Sequence, residues 1–354
     1  MSPLAHVVVI LATLPIAHFL PKVWRLVFLS AAGAMAFLFF SPGSFWIVLA
    51  TVVEALILER ALRNLPRKSM WRQYLPYVVL LNIFTTDFFR GQFRASEILT
   101  LGVAFSVVRC FMTLKQLLGS ASTTSSQRVV SLMAGGFFLP ATVVGPVFSG
   151  TSLWDQTTAT GASKEPKEPK GSTEFLYRKM FSGWLLSALV AQWLFQLAGG
   201  SDLERWTAPL VLLALFGHLF ASFWGQSLVA ESGAALAGFD VPQNFNRPWL
   251  ATDIRDFWNR WHMSMAKFVT QYIFLPLNLR GISPRIATMS SFVFMGLWHE
   301  FRIGYIVWGA AHGALMAYAP KSSATWKPVV KWANRIATLA SVIVLSYVAN
   351  YAFK

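Results

Sequence analysis

The sequence predicts an all-α, polytopic membrane protein: a bundle of about ten to eleven membrane helices with interfacial or re-entrant helices beside them. Three observations carry that expectation. Of 354 residues, 55% are hydrophobic and 13% charged, with a mean hydropathy of +0.51, whereas a soluble domain carries roughly 25% charged residues. The apolar residues fall into runs close to the ~20 needed to cross a bilayer. The formal charge of +15, from 30 Lys and Arg against 15 Asp and Glu, follows those runs as cytoplasmic loops and anionic headgroups require. An ordinary soluble enzyme and a disordered chain are thereby excluded, and the membrane accounts for the basic balance without nucleic acid. One cysteine, Cys110, excludes an internal disulfide and a zinc site of paired cysteines.

Taken in order, Met1 to Leu20 has no Lys or Arg before Lys22, lacks the basic start of a signal peptide, and reads as a retained first span with its N-terminus outside. Lys22 and Arg25 place the first loop in the cytoplasm. The run Leu26–Phe40 ends at the turn Ser41-Pro42-Gly43-Ser44, and Phe45–Leu58 leads into Arg60, Arg63, Arg67, Lys68 and Arg72, again inside. Tyr74–Phe89 holds Asp87, is barely long enough to cross, and is expected to lie in the interface or dip and return. Ile98–Leu118 and Val129–Phe148 are longer; Gly135, Gly136, Gly145 and Pro146 mark the second as a broken helix. Thr151–Lys179 is expected as a cytoplasmic loop whose proline-spaced piece, Lys164–Lys170, is a solvated linker. Runs at Phe181–Leu197, Pro209–Leu228, Ile286–Trp298, Ile303–Tyr318 and Val329–Ala352 complete the series. No internal repeat is visible. The reading is one domain over 1–354, with N-terminal spans in 1–125, a motif-bearing core in 126–320 and a C-terminal span in 321–354.

Asn244–Gly281 differs in kind, being too charged to span and too aromatic for a solvent loop. Ile254, Phe257, Trp258, Trp261, Met265, Phe268 and Tyr272 recur at steps of three and four, a helical apolar stripe. Asp253, Arg255, Asp256, Asn259, Arg260, Ser264 and Lys267 form the opposite face, so this helix is expected in an interface or under a bundle. His262 adjoins Trp261 and stands one helical turn from Asn259, so that both address one cavity. His299, in Met295–Glu300, lies about 20 Å along its helix from Arg285, at membrane depth. An ionisable residue there is a functional candidate, and a neutral imidazole with a depressed pKa is a usable general base near pH 7. His6, His18, His218 and His312 are expected to be packing or boundary residues, and the Trp-rich stripe to be packing. From these residues alone the site is catalytic or a transport site. A proton-coupled transporter or flippase relaying through His262 and His299 stays open, as does a structural subunit of an envelope complex.

The run DFWNRWHMS (Asp256–Ser264), preceded by NFNRPW (Asn244–Trp249) and followed by MGLWH (Met295–His299), resembles the membrane-bound O-acyltransferase family. FFLPATVVGP (Phe137–Pro146) is similar to that family's aromatic-Pro…Gly-Pro segment, and WGAAHG (Trp308–Gly313) to the stretch after its histidine helix. The matches are collinear from Phe137 to Gly313. The wording is most similar to the branch that transfers D-alanine in the teichoic-acid system, then to the alginate-type O-acetyltransferases. The resemblance implies a central funnel or tunnel in a multi-pass protein of a bacterial cytoplasmic membrane. It implies acyl transfer from a cytoplasmic thioester, on a carrier protein's phosphopantetheine or on acyl coenzyme A, to a hydroxyl of an extracytoplasmic glycan or teichoic acid. His299 stands at the position of the catalytic histidine and His262 at that of the second important polar residue. Asn259, Trp261, Ser264, Trp298, Arg260 and Asp256 are the expected binding or orienting residues. No metal and no permanently bound cofactor is implied. Partners are membrane lipids, an acidic carrier or an acyl coenzyme A, and an accessory envelope protein; Arg60 to Arg72 is a plausible carrier-docking surface. Glu300 replaces the family's usual glycine, Leu277-Asn278-Leu279-Arg280-Gly281 lacks the Gly-Gly of the acetyltransferase branch, and 354 residues is short for the family. Glu300 is expected to place a charge beside the base.

Overall fold

The computed structural model describes residues 2–89, 97–120, 122–158, 171–198, 208–319 and 327–352. Among them every regular element is helical, and five helical runs are long and apolar enough to cross a membrane: Lys22–Phe40, Gly102–Gly119, Thr173–Leu197, Pro209–Leu236 and Pro328–Asn350. The linker Lys164–Lys170 lies outside the described residues. The chain divides into two compact units, Met1–Leu185 with Gly225–Pro242, and Leu186–Trp224 with Gln243–Lys354.

The first unit starts with α1 (Pro3–Phe19), whose Ser2 hydroxyl accepts the Ala5 N–H at 3.2 Å, and α2 (Lys22–Phe40). Arg25 caps the end of α1, donating to the carbonyls of Ala17 at 2.8 Å and Leu20 at 3.2 Å, and also to Ala237 at 3.2 Å. Gly238 is required beside it: its φ is +83°, and a Cβ there would stand 2.8 Å from the Arg25 guanidinium. After α3 (Pro42–Leu62), the stretch expected to dip runs as α4 (Met70–Tyr74), a 3-10 stretch Leu75–Leu81 and α5 (Asn82–Phe89). Pro76 sits in the first turn of the 3-10 stretch, so no continuous helix forms here. Arg72, expected to mark topology or dock a carrier, donates to the carbonyls of Arg63, Leu65 and Leu118, the ends of α3 and of α6. Arg60, Arg67 and Lys68 remain exposed.

α6 (Glu97–Gly119) lies at the centre of this unit, with 78% of its Gly102–Gly119 stretch buried. The run Val129–Phe148, expected as a broken helix, is broken in the structure. α7 (Ser125–Phe137) stops, a 3-10 turn holds Leu139–Ala141, and the chain continues without helix to Ser149, because the Pro140 and Pro146 rings and their missing N–H groups oppose helix continuation. Glycines admit this irregular backbone: a Cβ on Gly33 would meet the Phe137 carbonyl at 1.7 Å, and one on Gly102 the Thr142 carbonyl at 2.2 Å. The expected loop Thr151–Lys179 is in fact helical at both ends, as α8 (Gly150–Thr158) and α9 (Thr173–Leu185). α8 forms because its Gly150 N–H is taken by Thr113 Oγ1 at 2.7 Å. Two ion pairs compensate carboxylates on apolar helices: Arg128 to Glu59 at 3.4 Å, and Lys179 to Glu231 at 2.7 Å.

The second unit holds a π-helical turn Leu186–Val190, α10 (Ala191–Leu197) and the N-terminal part of α11 (Ala208–Leu236). From the region of mixed character come α12 (Ile254–Arg260), α13 (Met263–Val269) and α14 (Leu275–Asn278), then α15 (Pro284–His299), α16 (Ile303–Tyr318) and α17 (Pro328–Tyr347). Every residue of the expected apolar stripe is buried. The helix carrying it is broken, however, at Trp261-His262, where His262 takes φ +45°. The break moves Ser264 from the expected polar face into the interior, 3% exposed. α15 and α16 form an antiparallel pair joined by Glu300–Arg302, and glycines set their approach: Gly296 faces Tyr305, Gly309 faces Phe292 and Gly313 faces Met289. The connected end of the pair is tied down by Tyr305 Oη donating to Asn350 Oδ1 at 2.8 Å.

Candidate active site

The site lies within the second unit, where α12, α13, α15 and α16 bring the two motif histidines into one aromatic cluster. α12 is started by Asp253, whose side chain accepts the Asp256 N–H at 2.8 Å while Asp256 accepts the Thr252 N–H at 3.0 Å, a reciprocal cap. Asp256 also receives Arg260 Nε at 2.7 Å. These two residues, expected to bind or orient substrate, are engaged in building the helix. Trp261 ends α12 and stacks on Phe257 at 5.5 Å and on Phe216 at 5.9 Å. His262 follows in the left-handed conformation, a strained state for a residue with a Cβ and a mark of functional sites.

The backbone around that turn is clamped. Met263 N–H donates to the Asn244 carbonyl and Asn246 N–H to the Arg260 carbonyl, each at 2.9 Å. Inside the clamp, Asn244 is fully buried, and its Oδ1 faces His262 Nδ1 at 3.3 Å and Ser264 Oγ at 2.5 Å. His262 is 5% exposed, with the Phe223 ring edge-on at 4.8 Å. Burial pushes its pKa well below the ordinary histidine range, and the nearby His299 pushes it further down. The ring is therefore neutral at pH 7.

His299 is the last residue of α15 and half-buried. Trp298 bridges the two histidines, 4.7 Å from the His299 ring and 6.0 Å from the His262 ring. Tyr305 stacks on His299 at 5.4 Å, and Trp308 meets it edge-on at 5.7 Å. Among the described residues none hydrogen-bonds the His299 ring. The Glu300 carboxylate, expected beside the base, is taken by Arg302 at 2.8 Å.

The remaining four histidines behave differently. His6, His18, His218 and His312 each place a ring nitrogen against a backbone carbonyl, of Leu139, Leu14, Ala191 and Trp308, at 2.7 to 3.1 Å. They are packing residues, as expected. Of the six, His262 meets a side-chain amide and His299 is packed among the rings of Trp298, Tyr305 and Trp308. The helix break changes one spacing argument: Asn259 is exposed on α12 and makes no side-chain hydrogen bond among the described residues, so the one-turn relation to His262 does not hold. Asn244, Tyr305 and Trp308 line the histidines and were not singled out from sequence. Asn244 and Trp308 lie in the motifs NFNRPW and WGAAHG, which was the available signal.

The model of the membrane-bound O-acyltransferase family matches residues 129–319, more than half the chain and all of this site. The chain belongs to that family. It is 28% identical over 249 residues to a probable alginate O-acetylase of Pseudomonas syringae, covering 67% of this chain and 46% of that protein. It is 30% identical over 157 residues to the teichoic acid D-alanyltransferase of Bacillus subtilis, 40% of each chain. It is 33% identical over 131 residues to a peptidoglycan O-acetyltransferase of Helicobacter pylori, 36% of this chain and 24% of that one. The chain spans about half the length of the first of these relatives. Family membership and the apolar helical runs make it a membrane-integral protein.

Proposed function

We propose that this chain is an O-acyltransferase that moves an acyl group, D-alanyl or acetyl, from a thioester at the cytoplasmic face to a hydroxyl of an extracytoplasmic glycan or teichoic acid. The observation that carries the reading is the pairing of His262 and His299 across Trp298 within one aromatic cluster. In this reading a His299 ring nitrogen takes the hydroxyl proton as the oxygen attacks the thioester carbonyl. The tetrahedral oxyanion collapses, the C–S bond breaks, and the thiolate recovers the proton from the imidazolium, leaving an ester and a thiol. His262 holds the acceptor hydroxyl in line, and Trp298, Tyr305 and Trp308 exclude water from the reacting atoms. The two substrates enter a funnel from opposite faces of a bacterial cytoplasmic membrane crossed about ten times. Exposed Arg60, Arg67 and Lys68 form the docking face for an acidic carrier protein bearing phosphopantetheine, with acyl coenzyme A the alternative donor.

The test is thiol release by purified protein in detergent, offered acetyl coenzyme A or a D-alanyl carrier protein with a polyol acceptor, alongside His299→Ala. Consumption of one donor by the wild type and not by the folded variant supports the reading and selects the branch. Movement of an envelope substrate across proteoliposomes without thioester consumption replaces it with the transporter reading.

A further inference from the structure

The position of Asn244 has a chemical consequence for His262. An imidazole has two neutral tautomers, and the one present is set by the hydrogen bond made at the other nitrogen. The atom of Asn244 that faces His262 is Oδ1, which also accepts from Ser264 Oγ at 2.5 Å. The facing atom is the amide oxygen, an acceptor. His262 Nδ1, 3.3 Å from the same oxygen, must carry the hydrogen, and Nε2 carries the lone pair. Asn244 itself is held by its backbone, through the bonds Met263 N–H to Asn244 O and Asn246 N–H to Arg260 O, so its side chain is aimed independently of the bond it makes. The left-handed turn at His262 brings the ring back toward that oxygen.

We infer that Asn244 is a positioning residue for the proposed acyl transfer: it locks His262 as the Nδ1–H tautomer, so that His262 acts through Nε2 as a hydrogen-bond acceptor. In that form His262 accepts at Nε2 from a second, neighbouring hydroxyl of the acceptor substrate, which leaves the proton of the reacting hydroxyl to His299 and orients the attacking oxygen, and does not donate to the oxyanion. Ser264 shares the oxygen and holds the amide in the orientation that makes this so. The inference rests on the proposed function for its role in turnover, but the tautomer is a property of the folded protein in the absence of substrate.

The experiment measures both. Wild type, Asn244→Leu, Asn244→Asp and Ser264→Ala are prepared with ¹⁵N-labelled histidine in detergent, the His262 ring signals being assigned by their loss in His262→Gln. Ring nitrogen shifts report the tautomer directly, and thioester turnover is followed on the same samples. Wild type and Asn244→Asp should hold the Nδ1–H form, because both offer an oxygen at the same place. Asn244→Leu should lose that preference and lower kcat by about 10²-fold with KM within about twofold, since a wrong tautomer alone costs up to about 10⁴ in a histidine-dependent enzyme. Asn244→Asp should recover most of the lost kcat, which a purely structural role for the amide would not predict. If Asn244→Leu does not fold, the wild-type tautomer and Asn244→Asp still decide. An Nε2–H form in the wild type, or an unchanged tautomer in folded Asn244→Leu, overturns the inference. A tautomer that follows Asn244 in a protein that consumes no thioester supports the inference about His262 while removing the proposed reaction.

Discussion

Replacing Gly309 by alanine tests how closely α15 and α16 hold His299. A Cβ on Gly309 would lie 2.4 Å from the Phe292 carbonyl oxygen and 2.9 Å from Val293 Cα, where ordinary contact begins at 3.4 Å. Both obstacles are backbone atoms, so no side-chain rotation relieves the overlap, and the two helices must part by about 1 Å. Overpacking of this kind costs about 1–3 kcal/mol. Trp308 precedes Gly309 and meets the His299 ring at 5.7 Å, so the displacement reaches the base. A 1 Å misplacement of a catalytic group is worth about 10²-fold in rate. Gly309→Ala should therefore unfold at lower denaturant in detergent and lose thioester turnover, even under conditions where it remains folded. Gly119→Ala, at the end of α6 with nothing within 4 Å of its Cβ, is the control and should be neutral or stabilising by up to about 1 kcal/mol. Equal stability and equal turnover of Gly309→Ala and wild type would refute the argument that these backbones touch.

His299→Ala should reduce turnover by about 10² to 10⁴, the usual worth of a general base, with unfolding unchanged to within about 1 kcal/mol, because the ring is half-buried and makes no hydrogen bond to a described residue. His262 carries a pH signature of opposite kind. Its folded pKa is depressed below the unfolded value of about 6.5, so the unfolded state binds the proton first, and stability is lost as pH falls from there toward the folded pKa, by up to about 1.4 kcal/mol per pH unit. Denaturant unfolding between pH 7 and pH 5 should show this slope reduced in His262→Gln. Lys179→Met removes the partner of Glu231, whose side chain is 7% exposed, and should cost about 2–3 kcal/mol, somewhat below a fully buried pair because Lys179 is itself 24% exposed. Arg178→Ala, which breaks the exposed pair with Glu174, should change stability by less than about 0.5 kcal/mol in the same assay.

Composition and periodicity alone determined that this chain is helical and membrane-integral. A bilayer tolerates little else, and the mismatch between 55% hydrophobic and 13% charged residues leaves no soluble solution. The stripe Ile254 to Tyr272 was legible because burial of one helix face imposes steps of three and four whether or not the helix is later interrupted. The paired motifs around His262 and His299 were legible because few sequences place such residues in order. Tertiary structure decided where those rules stop. Spacing could not reveal the turn at Trp261-His262, since a left-handed histidine has no periodic signature, and that turn put Ser264 inside and left Asn259 outside. Arg25 and Arg72 read as charges in loops, yet each closes helix ends, because carbonyls far apart in sequence converge only in the fold. Asn244 was one polar residue among several in its motif. Only packing brought its oxygen to His262, eighteen residues away, because the partner of a buried hydrogen bond is chosen by three-dimensional proximity and not by position along the chain.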